Sequence, residues 1–184
     1  RKVLIIDKPD LTQSQVRFGN IGMARTNPDY FKVLVANNIL GGGFTSRLVS
    51  EVRVNRGLSY HVRSRFKSLR QPGDFTILTS TKNTSTREII DVSLREIERI
   101  REEPVSEEEL NGTKKYLTGL FPLGLEGIES LAKLITDIEY YNLEPGFPNQ
   151  YTGFINATSV DEVQSVSRKY FSHDDLAIVV VGKA

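Results

Sequence analysis

The sequence predicts an α+β fold, a mainly antiparallel sheet covered on one face by helices. Three observations carry that prediction. Segments of period two come as hairpin-like neighbours, not one by one between helices. The whole stretch 84–171 is helical in pattern, and a last apolar run at 176–181 returns to complete the sheet. Grouped strands and grouped helices argue for segregated layers. No repeat, low-complexity run or linker divides the chain, so residues 1–184 are expected to form one domain.

The elements follow in order. Residues 2–6 are a short apolar run closed by the turn signal Asp7-Lys8-Pro9-Asp10, which predicts a well-buried strand. Residues 13–24 predict a second strand, with Val16 and Phe18 on one parity and Ile21 and Met23 on the other. That switch predicts a bulge at Gly19-Asn20. Asn27 and Pro28 predict a helix start, as N-cap and first helical residue. Phe31, Leu34, Val35 and Ile39 form its buried side, and Gly41 its end. A short second helix begins at Thr45 or Ser46, carries Leu48, Val49 and Val52 inward, and stops at 55–57.

From Leu58 to Phe66 the period becomes two, and residues 74–81 form the partner strand across Pro72-Gly73. Ile89, Ile90, Leu94, Ile97 and Ile100 predict a helix with Asp91 and Arg95 as an outer i,i+4 pair. Ser106-Glu107-Glu108-Glu109 is a capping box, opening a helix with Leu110, Leu117 and Leu120 inside and a stop at Pro122 and Gly124. Ile128, Leu131, Ile135 and Ile138 predict another buried stripe, and the chain turns around Pro145 and Pro148. Ser159 to Glu162 is a second capping box, with Val163, Val166 and Tyr170 behind it.

Composition bounds the chemistry. A hydrophobic fraction of 39% and a charged fraction of 26% fit a globular protein, and a net charge of +1 selects no polyanionic partner. No apolar run reaches the roughly 18 residues a membrane-spanning helix needs, no signal-peptide pattern opens the chain, and the compartment stays open. The absence of cysteine excludes disulfides, thiolate metal sites and thiol nucleophiles. The chain starts Arg1-Lys2-Val3 and has Met23 as its only methionine, as expected of a processed chain or a piece of a longer one.

Only two histidines occur, His61 and His173, without HxxH, HxxEH or HxxE spacing, so no protein zinc site is expected here. His61 reads as a polar-face strand residue and His173 as a helix C-terminal residue favoured by the dipole. Gly41-Gly42-Gly43 lacks the Lys-Ser or Lys-Thr of a P-loop, and a helix precedes it where a dinucleotide fingerprint needs a strand. Ser46, Ser50 and Ser59 have no histidine and carboxylate in recognisable positions. Seven basic residues against one acid, Glu51, lie between Arg47 and Arg70; a solvated or substrate-facing strand explains them better than nucleic acid, whose binding signatures are missing.

The stretch 38–60, NILGGGFTSRLVSEVRVNRGLSY, stands apart. Its glycine run supplies unusual backbone angles or lets another backbone approach closely. Arg53 lies seven positions before Tyr60. By alternation alone Arg53 would be a solvent-facing helix residue, and Tyr60, sharing parity with Leu58, Val62 and Phe66, a core aromatic. Its place at the first turn of the strand leaves room for an exposed hydroxyl.

LGGGFTSRL followed by the arginine of EVRVNRGLSY resembles the C-terminal half-domain of the M16 zinc metallopeptidases, the family of pitrilysin, insulin-degrading enzyme and the mitochondrial processing peptidase. The likeness extends over QSQVRFGNIG, the helical section and the closing LAIVVVGKA. The resemblance implies a fold of the LuxS/MPP-like metallohydrolase type and two halves closing like a clamshell on an extended peptide. One half carries HxxEH and a downstream glutamate; the other lacks them, as this chain does. Zinc is then expected in the partner half, which belongs to the same longer chain or to a separate subunit, and no metal in this one.

The resemblance further implies that Arg53 and Tyr60 act in trans to zinc, binding substrate and stabilising the tetrahedral intermediate, and that Gly41, Gly42, Gly43, Phe44 and Arg47 belong to the peptide-binding surface. Peptide, and no nucleic acid, is the expected ligand. Homodimerisation of the piece through the surface that normally meets the zinc half is a further expectation. The family also includes core subunits of the respiratory cytochrome complex, so a structural, non-catalytic subunit is the alternative.

Overall fold

A computed structural model describes residues 2–172 and 174–183. His173, with its expected helix-terminal role, lies outside them. The fold is α+β, as the sequence predicts. A five-stranded sheet has the order β1-β5-β2-β4-β3, with β1 (Lys2–Asp7), β2 (Gln13–Ile21), β3 (Val62–Lys67), β4 (Asp74–Lys82) and β5 (Ala177–Gly182). Among these strands β1 and β5 pair in parallel and the other neighbours antiparallel.

Alternation decides which sheet face is covered. Val16 and Phe18 of β2, Val62 of β3, Phe75 and Ile77 of β4 and Ile178 of β5 all point inward and are buried. Helices α1 (Tyr30–Asn37), α2 (Thr86–Glu102), α3 (Glu107–Leu123), α5 (Phe147–Ala157) and α6 (Val160–Tyr170) supply the opposing core residues, among them Val35, Ile89, Ile97, Leu110, Ile155 and Val163. The other face carries Arg17, Arg63 and Arg65 toward solvent.

Several local expectations are corrected. The β1 run is a strand but not a buried one: Val3, Leu4 and Ile5 are each more than half exposed. As the outermost strand it has a neighbour on one side only, and apolarity cannot bury a run that no layer covers. The bulge at Gly19-Asn20 does not form. The register with β4 is unbroken from Gln13↔Lys82 to Ile21↔Asp74, and the parity change arises because the strand ends at Ile21 while Met23 turns back into the core. Asn27 does not cap α1 itself; the N-cap is Asp29, whose N–H donates to Asn27 Oδ1 at 2.8 Å. Asp91 pairs with Arg87 at 3.7 Å, on the turn before it, where the sequence suggested Arg95.

Both capping boxes form, at Ser106/Glu109 and Ser159/Glu162. Helix α3 runs through Pro122 to Leu123, and Leu120, expected inside, is 48% exposed. Helix α5 stands where the sequence suggests only a turn around Pro145 and Pro148; Pro148 lies in its first turn, and Phe147, Tyr151 and Ile155 at i,i+4,i+8 form its buried side. The largest departure is α4 (Ile128–Tyr141). Its periodic stripe is real, yet no residue of α4 is buried, and Ile128 and Ile135 are 87% and 62% exposed. The helical layer is already closed by α3 and α5, where Phe121 stacks on Tyr151 at 3.9 Å, so the α4 stripe is left facing outward.

Candidate functional site

The conspicuous stretch folds as a π-wound connector. Helix α1 continues into a π-turn, Asn38–Gly42, and after a short non-helical step a π-helix runs over Val49–Asn55. Wide π turns are uncommon and concentrate at functional places. None of the three glycines has a positive φ; among the described residues Gly57 and Asn142 do. The glycines serve close approach instead. A Cβ on Gly41 would lie 2.7 Å from both Leu48 Cδ1 and Ser64 Oγ and 2.8 Å from the Ser64 backbone nitrogen, so this position must be bare for the connector to sit on β3. Cβ atoms on Gly42 and Gly43 would meet Asn37 and Asn38 at 3.0 and 2.9 Å. Gly41 is buried and offers no contact surface of its own.

Beyond the glycines, Phe44 projects into solvent, 74% exposed. Arg53, in the last turn of the π-helix, places its guanidinium 5.2 Å from the Phe44 ring centroid and 4.3 Å from that of Tyr60. The nearby carboxylates are taken. Glu51 pairs with Arg56 at 3.4 Å and accepts from Asn55 Nδ2 at 2.7 Å, while Glu88 pairs with Arg56 at 3.5 Å. Among the described residues Arg53 forms no ion pair, so its fork is held by two rings and keeps its donors available.

Tyr60 is 83% exposed although alternation would bury it. The strand expected from Leu58 starts only at Val62, so parity does not yet bind Tyr60. What redirects the chain is visible in its hydrogen bonds. Gly57 adopts φ +60°, Leu58 N–H donates to Val52 C=O at 2.8 Å, and Thr81 Oγ1 donates to Leu58 C=O at 2.7 Å. Ser59 Oγ donates to His61 C=O and accepts from His61 N–H, at 2.9 and 3.1 Å, and Thr79 Oγ1 also donates to His61 C=O. The link is pinned on both sides of Tyr60, and its ring swings out beside Arg53. His61 is exposed and precedes the strand.

Arg47 lies elsewhere. It is only 7% exposed, and its Nε and one terminal nitrogen donate to the two carboxylate oxygens of Glu109 at 2.8 and 2.9 Å. In place of the expected contact with substrate it makes an internal one: two of its three nitrogens bind α3, and it anchors the start of the helical segment whose last turn carries Arg53. Glu109 also accepts from Ser106 N–H at 3.0 Å as part of the capping box. The Arg47 hydrogen bond, seconded by that backbone N–H, holds the Glu109 carboxyl down at about 2 against the opposing effect of burial. On α2, burial pushes Glu96 up. The sequence marked Glu109 only as a capping residue; nothing in it disclosed the Arg47 bond across 62 positions.

Arg53, Tyr60 and Phe44 are thus brought together at the surface, Gly41 is buried against Leu48 and Ser64, and Arg47 is turned to Glu109. Among the described residues no group of three or more His, Asp or Glu side chains is placed to hold a metal ion. An exposed phenol and an unpaired guanidinium can donate hydrogen bonds to carbonyl or carboxylate oxygens of a bound chain. Alone they cannot ionise water. Among the described residues no helix is long and apolar enough to cross a membrane.

Comparison with known proteins gives these features a context. Residues 1–117 match the family described as the peptidase M16 inactive domain. A relative from Streptomyces coelicolor, described as an uncharacterised zinc protease, is 29% identical over 156 residues, covering 85% of this chain and 34% of its own length. A Helicobacter pylori relative, described as a non-peptidase homologue, is 28% identical over 94% of this chain and 40% of its own. A crystal structure of a peptidase M16 inactive domain from Pseudomonas fluorescens superposes with a TM-score of 0.93 at 26% identity, over 100% of this chain and 44% of that one. The chain thus spans between a third and a half of the length of each.

Proposed function

The chain belongs to the M16 peptidase family as a copy of its inactive domain, and on that premise we propose that it is the metal-free half of a zinc endopeptidase. In this reading it walls a peptide-binding chamber, and it presents Arg53 and Tyr60 to zinc held by another domain or subunit. The observation that carries it is the Phe44–Arg53–Tyr60 cluster: a guanidinium with no carboxylate partner among the described residues, beside a phenol that the loop hydrogen bonds turn outward against its parity.

The chemistry suits those groups. When zinc is bound opposite, it supplies an activated water for attack on a peptide carbonyl. Tyr60 Oη then donates to the oxygen on which charge develops, and Arg53 grips neighbouring carbonyls of the extended substrate. The pinned backbone at Leu58 and His61 keeps the phenol from having to reorganise during the reaction. A second reading, a non-catalytic assembly subunit of the same fold, is favoured by the Helicobacter relative described as a non-peptidase. The free Arg53/Tyr60 pair favours the first.

One experiment separates them. The full-length protein, or the domain mixed with an M16 half that carries HxxEH, is titrated with zinc by calorimetry and assayed on internally quenched peptides. The expected result is stoichiometric zinc binding and hydrolysis in the assembly, and neither in the isolated chain. Stoichiometric micromolar zinc binding by the isolated chain, or an assembly that binds zinc and cleaves nothing, contradicts the proposal.

The partner needs a surface, and α4 offers one. An apolar stripe of Ile128, Leu131 and Ile135 left in solvent is what a docking face looks like. Leu131→Glu with Ile135→Glu is expected to leave the melting temperature of this domain within about 4 °C, since each substitution at an exposed site rarely exceeds ~0.5 kcal/mol. The same pair of changes is expected to weaken association with the zinc half at least tenfold in sedimentation analysis, about 1.4 kcal/mol. Unchanged association removes α4 from the interface.

A further inference from the structure

The solvent face of the sheet carries an ordered basic row. Arg17 of β2 and Arg63 of β3 are both in register with Leu78 of the strand between them, so the three side chains form one line across the sheet, Arg-Leu-Arg. Two strand spacings separate the arginines by about 10 Å. In the next row Arg65 stands over Thr76. The three arginines and Leu78 line a groove of about 310 Å³ that also takes in Gln15, His61 and Ser80. Arg65 has a distant carboxylate, Asp74 at 3.8 Å; Arg17 and Arg63 form no ion pair among the described residues. His61, one of the lining residues, directly follows Tyr60 in the chain, which links the groove to the Arg53/Tyr60 cluster.

We propose that this groove is a specificity subsite for acidic peptide, accepting two carboxylate side chains three residues apart, one on Arg17 and one on Arg63, with the chain between them lying over Leu78. The proposal rests on the function proposed above and adds a substrate class to it. The spacing supports the pattern. An extended segment of polyproline-II type has three residues per turn and rises about 3.1 Å per residue, so side chains at i and i+3 share a face about 9 Å apart. That matches the separation of the two arginines, whose planar forks suit carboxylates. Single-stranded nucleic acid fits less well. Its sequence-tolerant binding depends on aromatic platforms on which successive bases stack, and the described residues lining this groove offer a single ring, the imidazole of His61, too few to seat a run of bases.

The test uses the full-length protein and three fluorescein-labelled probes of equal length: a decapeptide with Glu at i and i+3, the same peptide with Gln at both positions, and oligo-dT. Binding is read by anisotropy at low and moderate salt. The Glu peptide is expected to bind at least tenfold more tightly than the Gln peptide, a difference that screening reduces as salt rises. Arg17→Gln with Arg63→Gln is expected to erase the difference, while the far-surface Arg87→Gln preserves it. Equal binding of the two peptides, a preference that survives the double substitution, or tighter binding of oligo-dT overturns the subsite. Failure of the Arg53/Tyr60 proposal reads differently: Arg53→Ala then leaves the affinity of the Gln peptide unchanged, whatever the Glu preference does.

Discussion

On the function proposed above, replacing Tyr60 with phenylalanine in the full-length protein or the zinc-holding assembly is expected to lower kcat by about a hundredfold to a thousandfold, the usual cost of one lost oxyanion donor, with KM changed far less. The substitution removes only the hydroxyl. The ring stays under the Arg53 guanidinium, 4.3 Å away, and the backbone bonds at Leu58 and His61 do not involve the side chain. With the position 83% exposed, folding is untouched, so a loss in kcat reports the hydroxyl alone. Steady-state kinetics on a quenched peptide make the measurement. An unchanged kcat takes Tyr60 out of the mechanism.

The second large effect falls on stability. Glu109→Ala leaves the Arg47 guanidinium, 7% exposed, without its bidentate partner. Breaking one side of a buried pair costs about 3–5 kcal/mol; with Glu109 itself about a third exposed, the lower end, about 3 kcal/mol, is expected. For a chain of this length that lowers Tm by about 6–12 °C, readable by circular dichroism. A drop of less than about 2 °C would show that Arg47 finds another partner at no cost.

The same pair has a signature in pH. The folded carboxyl of Glu109 titrates at about 2 against an ordinary 4.5, so its folded value is depressed. A depressed carboxyl contributes stability above its unfolded value, and that contribution disappears as pH falls through the folded one. Stability is therefore expected to decline between about pH 4.5 and pH 2 with a component that Glu109→Gln removes.

Much of the architecture was legible in the residues. Period two at Val16 and Phe18, the capping boxes at Ser106 and Ser159, and the closing 176–181 run each act through local backbone chemistry or through a simple inside–outside alternation, and each forms as read. The glycine run has a structural reason too, because a π-wound connector pressed on a strand requires a bare position at Gly41.

What failed was burial. The β1 run and the α4 stripe have the composition of core elements, yet both stay in solvent, because burial depends on whether a second layer reaches an element and not on the element's own pattern. The site divided in the same way. The sequence determined that this chain lacks a zinc motif and that an arginine and a tyrosine lie seven positions apart. Only the tertiary structure decided that Arg53 stands between Phe44 and Tyr60 with its charge free, and that Arg47 turns inward to Glu109. The reason is physical: which carboxylate neutralises a guanidinium is a matter of distance in space. Glu109 is 62 positions from Arg47 in the chain and 2.8 Å from it in the fold.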